Sequence, residues 1–381
     1  MSGIYLDYNA TAPIRPGALA AATDAMRLGG NPSSVHAAGR AARALVEAAR
    51  EQVAALIGAP ASTVVFTSGG TEANALAIES AVAAGSRRLL ISAAEHDCVR
   101  ATAEASAAIV ESWPVDADGL ADLDWLEARL QAWSPADGRP FAALMLANNE
   151  TGVIQPVAEA AALIRAADGW LHVDAVQAAG KIAIDSRALG ADTLAIASHK
   201  LGGPAGAGAL TFGPRASLVR RIHGGGQERG RRAGTENLSG IAGFGAAAEV
   251  AAWDLANAGM PAAWRDAAEA RLEAEADVVV FGKGAPRLAN TLCFAAPGFS
   301  AELQLMALDL EGVMVSAGAA CASGKVKPSH VLLAMGAGTL AGCAIRVSGG
   351  WATNQSDWDR LTEAWLAVFA RHQARRRVSA A

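Results

Sequence analysis

The sequence predicts an α/β fold with a largely parallel sheet and a second, smaller domain. Short runs rich in β-branched residues alternate along the chain with longer, alanine-rich segments that favour helix, which is the pattern of parallel strands connected by helices. The length of 381 residues exceeds what one hydrophobic core usually serves and is typical of two domains. Several predicted strands also end in polar residues, and ligands bind at that carboxyl edge of parallel sheets.

The individual elements follow from local patterns of apolar residues. The first predicted strand covers residues 63–67, with the sequence TVVFT, and the segment 71–84 is predicted to be the helix that follows it. Helical periodicity over residues 156–167 begins at a proline, which suits a first helical turn. Similar apolar runs predict strands at residues 89–92, 142–147, 171–174, 193–197, 209–212, 290–295 and 344–348, and helical patterns cover residues 301–311 and 356–371. The character of the chain changes near residues 253–265, where we place a domain boundary.

Composition and charge exclude several classes of protein. Hydrophobic residues make up 52% and charged residues 18% of the chain, which excludes a disordered or fibrous protein. The 32 basic residues against 37 acidic ones give a net charge of −5, so no basic surface is expected to bind nucleic acid. The stretch 328–345, which has no acidic residue, lysine or arginine, contains a proline, a histidine and three glycines, which argues against a membrane span. The N-terminus shows no signal peptide, and we expect a cytoplasmic protein.

The cysteines are too scattered for a disulfide framework or a zinc site, since no C-x-x-C pair occurs. They are Cys98, Cys293, Cys321 and Cys343.

Four polar motifs follow predicted strands, and together they are hard to explain by packing alone. The motifs are SGGTEAN at residues 68–74, NNETG at 148–152, HVDAVQ at 172–177 and ASHKLGGP at 197–204. Lys200 is either a surface lysine or a Schiff-base lysine, and Asp174 is either a helix-capping carboxylate or the partner of a pyridinium nitrogen. Pyridoxal phosphate requires such a lysine and such a carboxylate to act as an electron sink. The SGGTEAN segment predicts a glycine loop and helix start whose N–H groups and Thr71 hydroxyl hold its phosphate.

With these motifs the chain resembles the pyridoxal-phosphate-dependent cysteine desulfurases of the NifS/IscS type, in the class V aminotransferase group. The resemblance extends over nearly the whole chain. It is carried by the segments YLDYNATAP, GNPSSVHAAGR, FTSGGTEANALAI, EHDC, NNETGVIQP, HVDAVQAAGK, SHKLGGPAGAGAL, GGGQERGRRAGTEN, SAGAACASG and AIRVSGG. It implies the pyridoxal-phosphate fold type I, with a mainly parallel seven-stranded sheet flanked by helices in a large cofactor-binding domain, residues 14–256, and a smaller α/β domain from residues 1–13 and 257–381.

The resemblance also assigns residues to the cofactor. Lys200 matches the lysine that binds pyridoxal phosphate covalently, Asp174 the partner of the ring nitrogen, and Gln177 the partner of the phenolic oxygen. His96 matches the histidine that stacks on the ring and moves protons, although a core or helix-capping histidine is the simpler explanation of its pattern alone. The residues expected at the phosphate are Gly70, Thr71, Ser198, His199 and, from a neighbouring subunit, Thr235.

Three further residues match positions that contact or attack the substrate. Asn149 is expected at the face shared by cofactor and substrate, and Arg346 at the substrate carboxylate, although a buried structural ion pair explains Arg346 equally well. Cys321 matches the nucleophilic cysteine and is also a candidate iron–sulfur ligand. It lies on a loop of small residues that we expect to be mobile. The other three cysteines are interpreted as structural.

Two departures from the family pattern affect these expectations. Ala197 stands where the family usually has a serine that binds the phosphate, so that contact is in doubt unless Ser198 or a water replaces it. Ala319 stands where serine is frequent in the cysteine loop, but the S-x-G-x-A-C-x-S frame remains that of the long-loop branch, which passes sulfur to a scaffold protein.

The resemblance therefore implies an enzyme that removes sulfur from L-cysteine, leaving L-alanine and a persulfide on Cys321. The expected partners are a second subunit and a sulfur acceptor such as an iron–sulfur scaffold protein. Two alternatives stay open from the sequence: a selenocysteine lyase or another enzyme acting on a small amino acid, and a binding or scaffold protein that retains the fold without catalysis.

Overall fold

A seven-stranded sheet forms the centre of the larger part of the molecule. The computed structural model describes residues 3–257, 259–318 and 327–380. The sheet consists of β2 (Val64–Thr67), β3 (Arg88–Ser92), β4 (Ile109–Trp113), β5 (Phe141–Ala143), β6 (Trp170–Asp174), β7 (Thr193–Ala197) and β8 (Gly208–Phe212), in the order β2-β8-β7-β6-β5-β3-β4. Only β8 runs antiparallel to its neighbours within this sheet. The predicted α/β class with a mainly parallel seven-stranded sheet is confirmed.

Helices pack on this sheet and bury most of its side chains. They are α1 (Pro16–Leu28), α2 (Ala37–Leu56), α3 (Gly70–Ala83), α4 (Asp97–Glu104), α5 (Leu123–Gln131), α6 (Val157–Ala166) and α7 (Leu238–Asn257). Helix α7 packs against both α1 and α2, and small residues such as Ala18, Ala49 and Gly245 line these contacts. Alanine and glycine at such positions allow helices to approach closely, which explains why so alanine-rich a chain has a dense core.

A second hydrophobic core lies on the remaining elements. These are β1 (Ile4–Tyr5), α8 (Ala262–Glu275), β9 (Val279–Val280), β10 (Thr291–Ala295), α9 (Ala301–Leu310), β11 (Val313–Met314), β12 (Ser316–Ala317), α10 (His330–Ala334), β13 (Ala344–Ser348) and α11 (Gln355–Ala380). Trp365 stacks on Phe369 and meets Phe294 edge-on, with ring centroids 4.9 and 5.2 Å apart. Leu6 belongs to the same core, and β1 pairs with β11, so the N-terminal segment joins the C-terminal elements.

Most predicted elements are confirmed, with boundaries shifted by a few residues. The strand predicted at 142–147 ends at Ala143 in the structure, although the backbone N–H groups of Leu144 and Leu146 still donate hydrogen bonds to β6. Strand β4 was not predicted because it is an edge strand in which only Trp113 is buried. Within the described ranges no helix is long and apolar enough to cross a membrane.

Candidate active site

Lys200 ends a short turn directly after β7, at the carboxyl edge of the large sheet. Its Nζ donates hydrogen bonds to the backbone oxygens of Asn9, at 2.6 Å, and Ala10, at 2.8 Å. Burial and the positive charge of Arg346 lower the pKa of this amine to about 8, against the opposing influence of Asp7 and Asp174. About a tenth of Lys200 is therefore uncharged at pH 7 and about half at pH 8, and only the uncharged amine attacks a carbonyl carbon.

Asp174, the last residue of β6, is held as a hydrogen-bond acceptor on both carboxylate oxygens. Oδ2 accepts from the Asn74 side-chain amide at 2.7 Å, and Oδ1 accepts from the backbone N–H of Val176 at 2.9 Å. The strand-end interpretation of Asp174 and the functional one are compatible, since the capping contact occupies only one oxygen.

The loop between β2 and α3 is shaped to admit an anion. Helix α3 starts at Gly70, so the N–H groups of Gly70 and Thr71 and the positive end of the helix dipole face outwards from the loop. Gly208 on β8 approaches this loop so closely that a Cβ atom there would lie 2.7 Å from the Gly69 Cα. Only glycine at position 208 allows the loop its present course.

Ala197 and Ser198 point to opposite sides of the chain. A Cβ atom on Gly70 would lie 3.5 Å from the Cβ of Ala197, so Ala197 faces the anion loop. The hydroxyl of Ser198 instead lies against Gly203, is buried, and has no hydrogen-bond partner among the described residues. The geometry therefore offers no support for a phosphate contact by Ser198, because alternation along an extended strand sends neighbouring side chains in opposite directions.

Two of the predicted histidines border the same edge. His96 is the exposed N-cap of α4, and its Nδ1 accepts from the Cys98 backbone N–H at 3.1 Å, which leaves its proton on Nε2. His96 therefore caps helix α4, as one of the two interpretations of its pattern predicted, and its Nε2 takes no part in that contact. His199 Nδ1 lies 2.8 Å from the Thr11 hydroxyl, and burial together with the Lys200 charge lowers the pKa of His199 to about 4.

Asn9 connects Gln177 and two lysines at the floor of the site. Its backbone oxygen accepts from Gln177 Nε2 at 2.9 Å as well as from Lys200, while its Oδ1 accepts from Lys181 Nζ at 2.7 Å. Lys181 also donates to Gln177 Oε1 at 2.7 Å, which turns Gln177 Nε2 towards Asn9. Sequence reasoning missed Asn9 and Lys181, although both lie inside the motifs YLDYNATAP and HVDAVQAAGK that carried the resemblance.

Arg346 enters the site from β13 in the second core. Its Nη1 donates to the backbone oxygen of Asn149 at 3.1 Å, and its Nη2 pairs with Asp7 at 2.7 Å. The Nε is buried without a partner among the described residues. The structural ion pair that the sequence left open is therefore present, and the two contacts use two of the five N–H donors of the guanidinium, which leaves others for a carboxylate.

Cys321 and Ala319 lie outside the described residues, as does the rest of the segment 319–326. The two chain ends that flank it meet at Glu150, since a Cβ on Gly318 would collide with the Glu150 carboxylate and Ser329 hydrogen-bonds the same carboxyl group. Two other cysteines are poor nucleophiles: burial raises the pKa of Cys98 to about 12 and raises that of Cys293 still further.

Thr235 is the one described site residue that stands apart. It is exposed in the segment before α7 and forms no hydrogen bond to another site residue among the described parts of the chain. Its expected role on a neighbouring subunit stays a prediction.

The residues present fit pyridoxal phosphate. They supply an amine of lowered pKa at Lys200, a hydrogen-bonded carboxylate at Asp174 and an anion loop at Gly70, which are the three kinds of group that such a cofactor needs. In the described ranges no cluster of three or more histidine, cysteine, aspartate or glutamate residues is arranged to hold a metal ion.

Comparison with known proteins supports this assignment. The family Aminotransferase class-V matches residues 4–361. A cysteine desulfurase from Cereibacter sphaeroides is 43% identical over 373 residues, which cover 95% of each chain. An IscS-like cysteine desulfurase from Mycobacterium tuberculosis is 37% identical, with 99% of this chain and 98% of that protein covered. The NifS-like protein from Rickettsia africae superimposes with a TM-score of 0.88 at 32% identity, over 97% of this chain and 99% of that chain.

Proposed function

The chain belongs to the class-V aminotransferase family, and from that membership and the geometry of its site we propose that it is a pyridoxal-phosphate-dependent cysteine desulfurase. It removes the sulfur of L-cysteine and releases L-alanine. The observation that carries this proposal is the Lys200 amine, whose pKa near 8 reflects its burial among the charges of Arg346, Asp7 and Asp174. Full-length relatives that are 37–43% identical and named cysteine desulfurase support the choice of reaction.

The cofactor would be held at three points. Bound pyridoxal phosphate supplies an electron sink that absorbs the negative charge developing on the substrate carbon. Lys200 would hold the cofactor and move the proton of the substrate Cα, and Asp174 would accept a hydrogen bond from the protonated ring nitrogen. Gln177 Nε2 donates to the phenolic oxygen and His96 covers the ring. Gly70, Thr71 and His199 bind the phosphate, and Thr235 of a second subunit completes that contact in a homodimer.

Arg346 binds the substrate through its carboxylate. Asp7 and the Asn149 backbone already orient the guanidinium, so binding a substrate carboxylate costs little further side-chain freedom. The Nε–H, which has no partner among the described residues, is one of the donors for that carboxylate. Asn149 lies beside it at the face shared by cofactor and substrate.

Cys321 accepts the sulfur. Its thiolate attacks the substrate sulfur, an S–S bond forms, and the substrate C–S bond breaks with its electron pair remaining on carbon, where protonation gives alanine. The persulfide on Cys321 then transfers sulfur to an acceptor, for which an iron–sulfur scaffold protein is the expected class. The raised pKa values of Cys98 and Cys293 support Cys321 over either of them as the nucleophile.

A mass-spectrometric experiment tests this proposal. Protein loaded with pyridoxal phosphate and incubated with L-cysteine should gain one sulfur on the peptide that contains Cys321. Cys321→Ser should keep the cofactor but form almost no alanine, and Cys343→Ser, as matched control, should keep full activity. A persulfide on another cysteine, or rapid alanine formation by Cys321→Ser, would contradict the assignment. Turnover of selenocysteine alone would favour the lyase alternative, and failure to bind the cofactor would favour a scaffold protein.

A further inference from the structure

A chain of buried hydrogen bonds runs behind Asp174, on the side away from the Lys200 amine. Trp170, His172 and Asp174 alternate along β6, so their side chains project from the same face of the sheet. Thr193 on β7 is the register partner of His172. Asn74, one helical turn into α3, lies between His172 and the Asp174 carboxylate.

The contacts are short and continuous. The Trp170 indole Nε1 lies 3.0 Å from the Thr193 Oγ1, and that hydroxyl lies 3.0 Å from the His172 Nδ1. The His172 Nε2 lies 2.8 Å from the Asn74 Oδ1. The Asn74 Nδ2 then donates to the Asp174 Oδ2 at 2.7 Å.

Chemistry fixes the direction of every hydrogen bond in this chain. A carboxylate oxygen is only an acceptor, so the Asn74 NH₂ group donates to Asp174, and its second N–H meets the Cys98 sulfur at 3.2 Å. The Asn74 Oδ1 is then the acceptor that faces His172, which places the proton of the neutral imidazole on Nε2. The His172 Nδ1 accepts in turn from the Thr193 hydroxyl, whose oxygen accepts from the Trp170 indole N–H.

Burial keeps the chain in this one state. Asn74 and His172 are both 0% exposed. Burial lowers the pKa of His172 to about 3, so the imidazole is neutral near pH 7. A charged His172 would require an acceptor at Nδ1, and the Thr193 hydroxyl would then have to turn its proton elsewhere.

We propose that Asn74, His172 and Thr193 are positioning residues that hold the Asp174 carboxylate as a permanent acceptor for the cofactor ring nitrogen. This inference rests on the proposed function, since it concerns the same cofactor. Asp174 cannot rotate without losing the Asn74 amide, and Asn74 cannot flip without facing its NH₂ group to the His172 N–H. The carboxylate would therefore present its remaining lone pairs to the ring nitrogen in a fixed orientation.

The first experiment needs neither a variant nor the cofactor. In cofactor-free protein labelled with ¹⁵N-histidine, NMR should show one histidine protonated only on Nε2, with shifts that do not change between about pH 5 and 9. Its assignment to His172 follows from the loss of that signal in His172→Gln. An imidazole at this position that titrates in this range, or that carries its proton on Nδ1, would overturn the inference.

The second experiment compares two substitutions of the same residue. His172→Gln keeps an N–H donor towards Asn74, whereas His172→Leu fills the space without one. We expect His172→Leu to weaken pyridoxal phosphate binding by about 10–100-fold in equilibrium dialysis, the range expected for a lost hydrogen bond network to a charged group. It should also shift the visible absorption band of the bound cofactor, while His172→Gln should restore both properties.

Two further outcomes separate this inference from the proposed function. Equal affinity and identical spectra for His172→Leu and the wild type would overturn the positioning role while leaving the persulfide on Cys321 unaffected. If wild-type protein forms no persulfide, the proposed function fails, but the NMR result in cofactor-free protein still decides whether the hydrogen-bond chain exists. Thr193→Ser against Thr193→Val provides a second pair, because only the serine retains the hydroxyl that fixes the His172 tautomer.

Discussion

Asp7 and Arg346 form an ion pair, with the Asp7 Oδ1 2.7 Å from the Arg346 Nη2. The pair joins the N-terminal segment to β13, beside the isolated β-bridge between Asp7 and Ser348. It also acts on Lys200, whose pKa Arg346 lowers and Asp7 raises. One contact therefore orients the group that we assign to the substrate carboxylate and sets the charge balance around the amine that we assign to the cofactor.

The first prediction concerns substrate binding by Arg346. Arg346→Lys retains the positive charge but cannot contact Asp7, the Asn149 backbone and a carboxylate at once, because an ammonium group lacks the planar fork of guanidinium. We expect the KM for L-cysteine to rise about 10–100-fold, corresponding to a lost charge-assisted contact, with a smaller change in kcat. Asp7→Asn, the control, keeps the guanidinium and should raise KM less. Equal KM values for Arg346→Lys and the wild type would exclude the carboxylate role.

The second prediction concerns the pH dependence of cofactor attachment. The folded pKa of Lys200 is lowered from 10.5 to about 8, so the free amine accumulates as the pH rises through 8 rather than through 10.5. The rate at which cofactor-free protein develops the visible band of bound pyridoxal phosphate should therefore rise between about pH 7 and 9 and then level off. Lys200→Ala should fold but show no attachment that borohydride can trap. A rate that keeps rising beyond pH 10 would show that the amine is not perturbed.

The sequence predicted the central strands of the large sheet better than its peripheral strands and helices. Strands β6 and β7 are mostly apolar and buried on both faces, and a short, mostly apolar segment of this kind can be predicted as a strand from the local sequence alone. Strand β4 and helix α1 were missed because their local patterns are weak. In β4 only Trp113 is buried, and α1 depends on its contact with the distant helix α7. The division of the chain near residue 257 stays a prediction.

The sequence identified the residues that carry charge at the site, but not the ones that hold them. Lys200 and Asp174 stand out because a charged residue at the end of a buried strand is unusual. Asn9 and Lys181 act through contacts between segments more than 160 residues apart in the chain. No local pattern reports such contacts. The sequence also could not predict the direction of the Ser198 side chain, because that direction depends on where β7 ends and the turn to Lys200 begins.

The third prediction concerns the phosphate loop. Ala197 faces the start of α3, so Ala197→Ser places a hydroxyl beside the N–H groups that we assign to the phosphate. We expect cofactor binding to tighten by about 0.5–1.5 kcal/mol, the usual net value of one hydrogen bond. Ser198→Ala is the matched control, because its hydroxyl faces Gly203 and its loss should leave the affinity unchanged. Equilibrium dialysis measures the affinity for pyridoxal phosphate, and an unchanged affinity for Ala197→Ser would show that the phosphate does not bind beside residue 197.

The last prediction concerns Glu95, which precedes His96 and is fully buried. Neither carboxylate oxygen has a hydrogen-bond partner among the described residues. Burial, and to a lesser extent the negative charge of Asp174, raises the pKa of Glu95 well above 4.5. The folded protein therefore holds a proton on Glu95 that the unfolded chain releases above about pH 4.5. The contribution of this group to stability is fully present below that pH and declines as the pH rises towards the folded pKa.

Glu95→Gln tests this sign directly, because the amide has the shape of the protonated acid but cannot ionise. We expect the free energy of unfolding of cofactor-free Glu95→Gln to equal that of the wild type near pH 4.5 and to exceed it increasingly as the pH rises to 8, because only the wild type loses stability when the unfolded chain releases this proton. Glu104→Gln, at an exposed position on α4, makes the same change of charge and should show no such divergence. Urea unfolding of the three proteins across this range supplies the comparison. Parallel pH profiles for wild type and Glu95→Gln would mean that the buried carboxyl has the same protonation state in the folded and unfolded protein.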